Sequence, residues 1–145
     1  MLILALYSNP KWLSVVRGTV EQLTKTLGFP EVQCRSITRA VDEALSNIVR
    51  HSYGNRLDQP IAVYFRRTQR QSEEEVRQGL EILLFDRGPE VDASKLHVRS
   101  LDEIRPGGLG LHLIHQAMDS VEYTREGPTN RLRLVKYLAG TNNAL

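Results

Sequence analysis

The part of the sequence that decides the fold is the stretch AVDEALSNIVRHSY, residues 40–53. Apolar residues recur through it at the spacing of one helix face, which predicts a helix from Pro30 to about Tyr53. Glu43 and Asn47 lie four positions apart, so both side chains point the same way from that helix. A glutamate and an asparagine on an apolar helical face need a partner or a function. Taken alone, however, such a pair is more often an ordinary surface contact.

The other elements follow from apolar periodicity and from turn residues. We expect strands at residues 2–7, 61–65, 80–85, 121–124 and 132–138, and helices at residues 10–27 and from residue 107 onward. Short turns between strands favour an antiparallel or mixed sheet with helices on one face, which is an α+β two-layer sandwich. We expect a single domain over residues 1–145, an extended hairpin loop at 66–78 and a mobile segment at 91–106.

Composition narrows the range of functions. The chain has 145 residues and a formal net charge of +2, with arginines scattered among acids, so direct nucleic-acid binding is not expected. The only cysteine, Cys34, permits no intrachain disulfide and no cysteine metal cluster, and the four histidines form no zinc pattern. The apolar opening, residues 1–6, is too short to span a bilayer and lacks the features of a signal peptide, so we expect a cytoplasmic protein without membrane contact.

A carboxylate follows the strand predicted at residues 80–85. Asp86 accepts hydrogen bonds when ionised, so it suits an exocyclic amine such as that of adenine. Gly88 would let the backbone pass close under a flat ligand. An Asp-x-Gly sequence is also ordinary chemistry for a turn that ends a strand, so this pattern alone leaves both interpretations open.

Three glycines lie where the last predicted helix begins. Gly107, Gly108 and Gly110 permit backbone conformations that aim N–H groups at an anion, and the helix N-terminus adds a favourable dipole. The pattern is not a Walker loop, because no Gly-Lys-Ser/Thr follows, and not a Rossmann fingerprint, because it does not follow the first strand. On its own it is as consistent with a flexible hinge as with phosphate binding.

Together, the three patterns resemble the Bergerat-fold ATPases, which include the gyrase B subunit, histidine-kinase catalytic domains and MutL. Residues 40–53 look like the asparagine box of the anti-sigma-factor serine kinases. The stretch RPGGLGLHLI, residues 105–114, is similar to their second glycine box, and NRLRLVK, residues 130–136, to their last strand. The resemblance covers nearly the whole chain, and its motifs are specific in combination. It implies the Bergerat ATP-binding fold, with ATP and Mg²⁺ as cofactors.

The resemblance also implies roles for individual residues. The glutamate at the position of Glu43 is the general base toward the substrate hydroxyl, and the asparagine at Asn47 ligates Mg²⁺. These roles suit phosphoryl transfer, which needs alignment, charge neutralisation and a proton acceptor. Asp86 would hold the amino group of adenine, with Gly88 beneath the base.

The phosphate end of the implied site lies in the glycine-rich stretch. The resemblance assigns nucleotide binding to Gly107, Gly108, Leu109, Gly110 and Leu111, with the N–H groups of Gly108 and Gly110 around the phosphates. Residues 92–105 would form a lid. Within it, Arg105 could neutralise phosphate charge or could be an exposed lid arginine.

The chain departs from the family pattern at the adenine end. Pro89-Glu90 stands where a second glycine often follows the first glycine box, which puts the shape of that end in question. The threonine often found before the last strand is replaced by Asn130, or its part is taken by Thr129, and the sequence leaves both open. His51 matches the family pattern, and we assign it no catalytic role.

The implied function is an ATP-dependent serine/threonine protein kinase that acts as an anti-sigma regulatory factor. It would bind a sigma factor and phosphorylate a serine of a small antagonist protein. The resemblance also implies a homodimer, with the apolar opening strand and the first helix as candidate surfaces. The alternative is a protein-binding module controlled by ATP occupancy without phosphotransfer, which would not need Glu43 as a base. A third alternative, an α+β domain whose motifs are all structural, requires three independent coincidences.

Overall fold

The fold is an antiparallel sheet with helices packed on one face. It comes from a computed structural model, which describes residues 1–90 and 108–142. The strands are β1 (Leu2–Tyr7), β2 (Pro60–Gln71), β3 (Glu75–Asp86), β4 (Ser120–Glu126), β5 (Thr129–Tyr137) and β6 (Thr141–Asn142), and the helices are α1 (Leu13–Leu27), α2 (Glu31–Asn47) and α3 (Gly108–Ala117). The sheet order is β1-β2-β3-β5-β4, and β6 pairs with β3. The predicted α+β two-layer architecture is confirmed, and every strand pair is antiparallel.

The core lies between the sheet and the helices. Alternate residues of the central strand, Ile82 and Leu84, are fully buried, as are Ile37 of α2 and Ile114 of α3. These side chains belong to one contiguous buried cluster. Burying this apolar surface drives the packing of the helices on the sheet, and within the helical layer α2 contacts both α1 and α3. None of the described helices is long and apolar enough to cross a membrane.

The first helix begins and ends as the sequence predicted, with one addition. The Asn9 side chain accepts a hydrogen bond from the Lys11 N–H at 3.1 Å and caps a short 3₁₀ turn, Pro10–Trp12, that leads into α1. Gly28 ends α1 with φ 92°, a left-handed conformation that favours glycine. The predicted boundaries are therefore supported by local backbone chemistry.

The helix predicted from Pro30 to Tyr53 changes its pitch after Asn47. Residues Ile48–Ser52 form a π-helix, in which the Tyr53 N–H donates to Ile48 O at 3.0 Å. We expected one uninterrupted helix, and that expectation is wrong over the last turn. The apolar pattern does not distinguish a short π turn from an α turn. Short π segments inside helices are frequent at functional sites.

The hairpin between β2 and β3 is longer than predicted. We expected a loop over residues 66–78, but cross-strand pairing continues out to Gln71 and Val76, and only residues 72–74 lie outside the strands. The added strand residues are mostly polar and partly or fully exposed, so they carry no apolar alternation. The two-residue strand β6, which pairs beside this extension, was also missed.

A buried carboxylate organises the sheet face opposite the helices. Glu81 of β3 is 3% exposed and is paired with Arg66 of β2 and with Arg133 of β5, whose Nε lies 2.9 Å from Glu81 Oε2. Burial raises the pKa of the Glu81 carboxyl, but hydrogen bonds and charge attraction from both arginines outweigh it, so the pKa lies below its ordinary value. The ion pairs thus join three strands on the outer face.

We predict that Glu81→Gln destabilises the protein by about 1–2 kcal/mol at neutral pH, because two arginines lose their charged partner. The lowered pKa means that this stability is present above the unfolded glutamate value of about 4.3 and is lost as the pH falls through the folded value. Denaturant unfolding should therefore show a steeper loss of stability in acid for the wild type than for the variant. Glu74→Gln, in the exposed hairpin turn, is the matched control. If the free energy of unfolding falls equally steeply in acid for wild type and Glu81→Gln, the ion pairs of Glu81 do not contribute this stability.

Candidate active site

Helix α2 presents the predicted glutamate and asparagine at one end of the sheet. Glu43 and Asn47 are both partly buried and lie one helical turn apart. Arg50 in the π-helix reaches back to both, with its Nη2 3.3 Å from Asn47 Oδ1 and 3.9 Å from Glu43 Oε2. The pair is therefore next to a cation that sequence reasoning did not single out.

The first turn of α3 lies directly against Glu43. A Cβ built on Gly110 would stand 2.5 Å from Glu43 Oε2 and 3.3 Å from its Cδ, so the Glu43 side chain takes this position because residue 110 has no Cβ. The structure thus brings one of the predicted loop glycines to the predicted base. It also places the unpaired N–H groups of a helix N-terminus in this region.

The other residues of the predicted glycine loop have different settings. Gly108 and Leu109 open α3, as expected for a loop that leads into a helix. The partly buried Leu111 side chain packs against the core. Arg105, Gly107 and the predicted lid, residues 92–105, lie outside the described residues.

Asp86 ends the central strand as a buried carboxylate. It is 7% exposed, and its Oδ1 accepts hydrogen bonds from the Gly88 N–H at 2.8 Å and from Asn130 Nδ2 at 2.9 Å. Among the described residues, none donates a hydrogen bond to Oδ2. One carboxylate oxygen is therefore held by the protein, and the other remains available as an acceptor.

The turn after β3 is packed against the π-helix. A Cβ on Gly88 would come within 2.7 Å of both Cβ and O of Ser52. The hydroxyl of Tyr53 accepts a hydrogen bond from the Arg87 N–H at 2.7 Å and donates to Pro60 O at 2.6 Å. Burial, its largest cause, raises the pKa of the Tyr53 hydroxyl above the ordinary value. The π-helix thus connects the Glu43–Asn47 end of the site with the Asp86 end.

Asn130, and not Thr129, faces Asp86. The two residues are paired in the β3–β5 register, and Asn130 is 1% exposed. Thr129 pairs with Glu126 at the β4–β5 turn. Tyr123 and Arg125 hydrogen-bond to Asn130, and neither was identified from the sequence, because these contacts depend on the register between strands. Tyr53, which follows the π-helix, was within the quoted helical motif, but nothing in its spacing indicated its hydrogen bonds.

Substitution by alanine should change the stability of the protein differently at Gly88 and at Gly110. At Gly88 the obstructing atoms include Ser52 backbone, which must shift, so we predict that Gly88→Ala destabilises the protein by about 1–3 kcal/mol. At Gly110 the obstacle is the end of the flexible Glu43 side chain. Gly110→Ala should leave stability unchanged or raise it by up to about 1 kcal/mol, because alanine favours the helix.

Denaturant unfolding of the two variants measures this difference, and Gly18→Ala, at a helical position with open space around it, is the matched control. A Gly110→Ala variant as unstable as Gly88→Ala would mean that Glu43 cannot move aside.

Comparisons with known proteins identify the family of this chain. A family model for the histidine kinase-like ATPase domain matches residues 6–136. The chain is similar to the serine-protein kinase RsbW of Oceanobacillus iheyensis, 26% identical over 91% of this chain and 83% of that protein. It is also similar to the serine/threonine-protein kinase BtrW of Bordetella bronchiseptica, 33% identical over 72% of this chain and 70% of that protein.

The fold is also found in solved structures. The crystal structure of the RsbU and RsbW domains of Rv1364c from Mycobacterium tuberculosis matches with a TM-score of 0.59 and 14% identity, over 94% of this chain and 32% of that chain. Since the family model spans most of the sequence and the fold and site have the arrangement described above, the chain belongs to the histidine kinase-like ATPase domain family.

Proposed function

We propose that this protein is an ATP-dependent serine/threonine protein kinase acting as an anti-sigma regulatory factor. The observation that carries the proposal is the placement of the Glu43 carboxylate against Gly110 at the N-terminus of α3, within a fold of the ATPase family. A carboxylate beside an anion-binding helix end suits transfer of a phosphoryl group to a hydroxyl. The similar RsbW and BtrW proteins, which are named as serine or serine/threonine kinases, support this reaction.

The buried end of the site suits an adenine base. Within residues 1–90 and 108–142, Oδ2 of the buried Asp86 receives no hydrogen bond, and an exocyclic amine is the donor that such an acceptor would bind. Gly88 is proposed to lie beneath the base, and a Cβ at this position would meet Ser52 of the π-helix.

The opposite end of the site suits phosphate and Mg²⁺. The N–H groups at the start of α3, from Gly108 to Gly110, would hold phosphate oxygens, with Gly107 and Arg105 added by the family resemblance. The amide oxygen of Asn47 is the kind of hard ligand that Mg²⁺ takes together with phosphate oxygens and waters. Bound ATP with Mg²⁺ supplies the phosphoryl group.

Glu43 is the proposed general base. Its carboxylate is partly exposed, so a serine hydroxyl from another protein can reach it, and it would accept the proton of that hydroxyl. Arg50 lies 3.9 Å away, at the limit of an ion pair, and both side chains are partly exposed, so the contact contributes little to stability. The base is thus held near the phosphate end without being neutralised by a close salt bridge.

The proposed protein partners are a sigma factor, which is bound, and a small antagonist, which is phosphorylated on serine. The family resemblance of residues 40–53 and 105–114 supports both. A cytoplasmic location, where sigma factors act, belongs to the same proposal. Direct contact with nucleic acid does not, because the net charge is only +2.

Two substitutions should separate nucleotide binding from chemistry. We predict that Asp86→Asn weakens ATP binding by at least about tenfold, because the amine loses a charged acceptor. Glu43→Gln should leave ATP affinity within about threefold and lower the rate of serine phosphorylation by about 10²–10⁴. Calorimetric titration of ATP with and without Mg²⁺ and phosphorylation of an antagonist protein measure the two effects.

Each variant is the control for the other. A wild type that binds ATP and exchanges protein partners but transfers no phosphate would instead support the alternative of an ATP-controlled binding module. A well-folded wild type that does not bind ATP would contradict the proposed function.

The homodimer is proposed to form through the apolar surface of β1 and the start of α1. β1 is an edge strand, and its Ile3 and Tyr7 are 49% and 63% exposed, while Trp12 and Val15 of the following turn and helix are 44% and 52% exposed. Exposed apolar residues on an edge strand favour pairing with a second chain.

We predict that Ile3→Glu raises the dimer dissociation constant by about tenfold or more, because a charge would be buried at the interface. Sedimentation equilibrium measures the change against the 16.5 kDa chain mass. Val32→Glu, at an equally apolar and 69% exposed position on α2, is the control and should not change it. A monomeric wild type at high micromolar concentration would rule the dimer out.

A further inference from the structure

We infer that Asn130 is a positioning residue that, together with Arg125, orients Asp86 and the turn after β3 and thereby sets the preference of the site for adenine. The inference rests on the proposed ATP site. It concerns residues that do not themselves touch the ligand but determine which atom of Asp86 is presented to it.

The amide nitrogen of Asn130 joins the strand end to the turn that follows it. Nδ2 lies 2.9 Å from Asp86 Oδ1, 3.0 Å from Gly88 O and 3.2 Å from Pro89 O. Its two N–H groups are therefore shared among three acceptors, all near the proposed base-binding end. This one side chain connects the carboxylate and two consecutive backbone carbonyls.

The orientation of the amide follows from its other neighbours. Asn130 Oδ1 accepts hydrogen bonds from the Tyr123 hydroxyl at 2.5 Å and from Arg125 Nη1 at 2.7 Å. A guanidinium can only donate, so the oxygen of the amide must face Arg125 and the nitrogen must face Asp86. Arg125 Nη1 also donates to Gly88 O at 3.0 Å, so strand β4 holds the same turn directly.

The arrangement selects between the two oxygens of Asp86. Oδ1 receives both the Asn130 amide and the Gly88 N–H, which leaves Oδ2 for a donor outside the described residues. Tyr53 holds the turn from the opposite side through the Arg87 N–H. The acceptor for an exocyclic amine is thus fixed before any ligand arrives, which lowers the ordering cost of binding.

A threonine at position 130 would not reproduce this arrangement. Its hydroxyl has a single donor, which could serve Asp86 Oδ1 but not the carbonyls of Gly88 and Pro89 as well. Pro89-Glu90 lies where family members often have a second glycine, and here the backbone carbonyls of Gly88 and Pro89 are held by the amide. The sequence thus differs from the family pattern both at Asn130 and after Gly88, and hydrogen bonds join these two places.

The test compares ATP with ITP, which carries a carbonyl oxygen in place of the exocyclic amine and so reports on the Asp86 contact. Dissociation constants for both nucleotides are measured by calorimetry for wild type, Asn130→Thr and Arg125→Met. Arg131→Met is the matched control, since Arg131 pairs with Thr124 in the next register position of the same two strands and its Nε donates to the Thr124 hydroxyl, away from Asp86. Hydrogen exchange of the Gly88 amide in the nucleotide-free protein is the second readout, with the Arg87 amide as an internal reference.

We expect the wild type and Arg131→Met to bind ATP more tightly than ITP. In Asn130→Thr and Arg125→Met this preference should fall by about tenfold, which corresponds to the loss of one hydrogen bond to a charged group. The Gly88 amide should exchange faster in both site variants, while the Arg87 amide, held by Tyr53, should be unchanged. Arg125 is exposed, so Arg125→Met tests the inference even where a change at the buried Asn130 prevents folding.

Two results would overturn the inference. If the ratio of the ITP and ATP dissociation constants is unchanged in folded Asn130→Thr and Arg125→Met, these residues do not position Asp86. If both variants lose affinity for the two nucleotides by the same factor, their role is purely structural. A wild type that binds neither nucleotide would contradict the proposed function itself, so failures of the two proposals are distinguishable.

Discussion

The constraint on which the site depends is the burial of one carboxylate at the end of the central strand. Asp86 is 7% exposed, and an acceptor-only group in such a position is costly unless hydrogen-bond donors surround it. Those donors come from its own turn and from β5, while β4 and the π-helix hold the turn in place. The local structure at this end of the sheet therefore supplies donors to one oxygen of this carboxylate and, among the described residues, none to the other.

The two ends of the site are held by different kinds of contact. At the Asp86 end, buried hydrogen bonds fix the geometry, and a change in any partner leaves another polar atom unsatisfied. At the Glu43 end, the contacts are a half-exposed arginine and a glycine with no side chain. The end proposed for adenine is consequently held by several buried hydrogen bonds, whereas the end proposed for phosphoryl transfer retains side-chain freedom.

Much of this arrangement could be predicted from the sequence, because it follows from local patterns. The i, i+4 spacing of Glu43 and Asn47, the break after Asp86 and the glycines before α3 each depend on neighbouring residues, and the α+β fold inferred from them is confirmed. The contacts of Asn130 could not be predicted, since they depend on the register between strands that are far apart in sequence. The π-helix and the long hairpin were missed because neither alters the apolar pattern. The roles of the site residues, Arg105 and Gly107 among them, stay predictions.

The absence of a side chain at Gly110 has a consequence for timing. With no intervening atoms, a displacement of the first turn of α3 is transmitted directly to the Glu43 carboxylate, which lies where a Cβ would otherwise be. Filling of the anion-binding helix end and readiness of the proton acceptor are then governed by one shared coordinate. If Glu43 and the start of α3 have the proposed roles, steric contact alone would link the phosphate donor to the proton acceptor, with no other side chain between them.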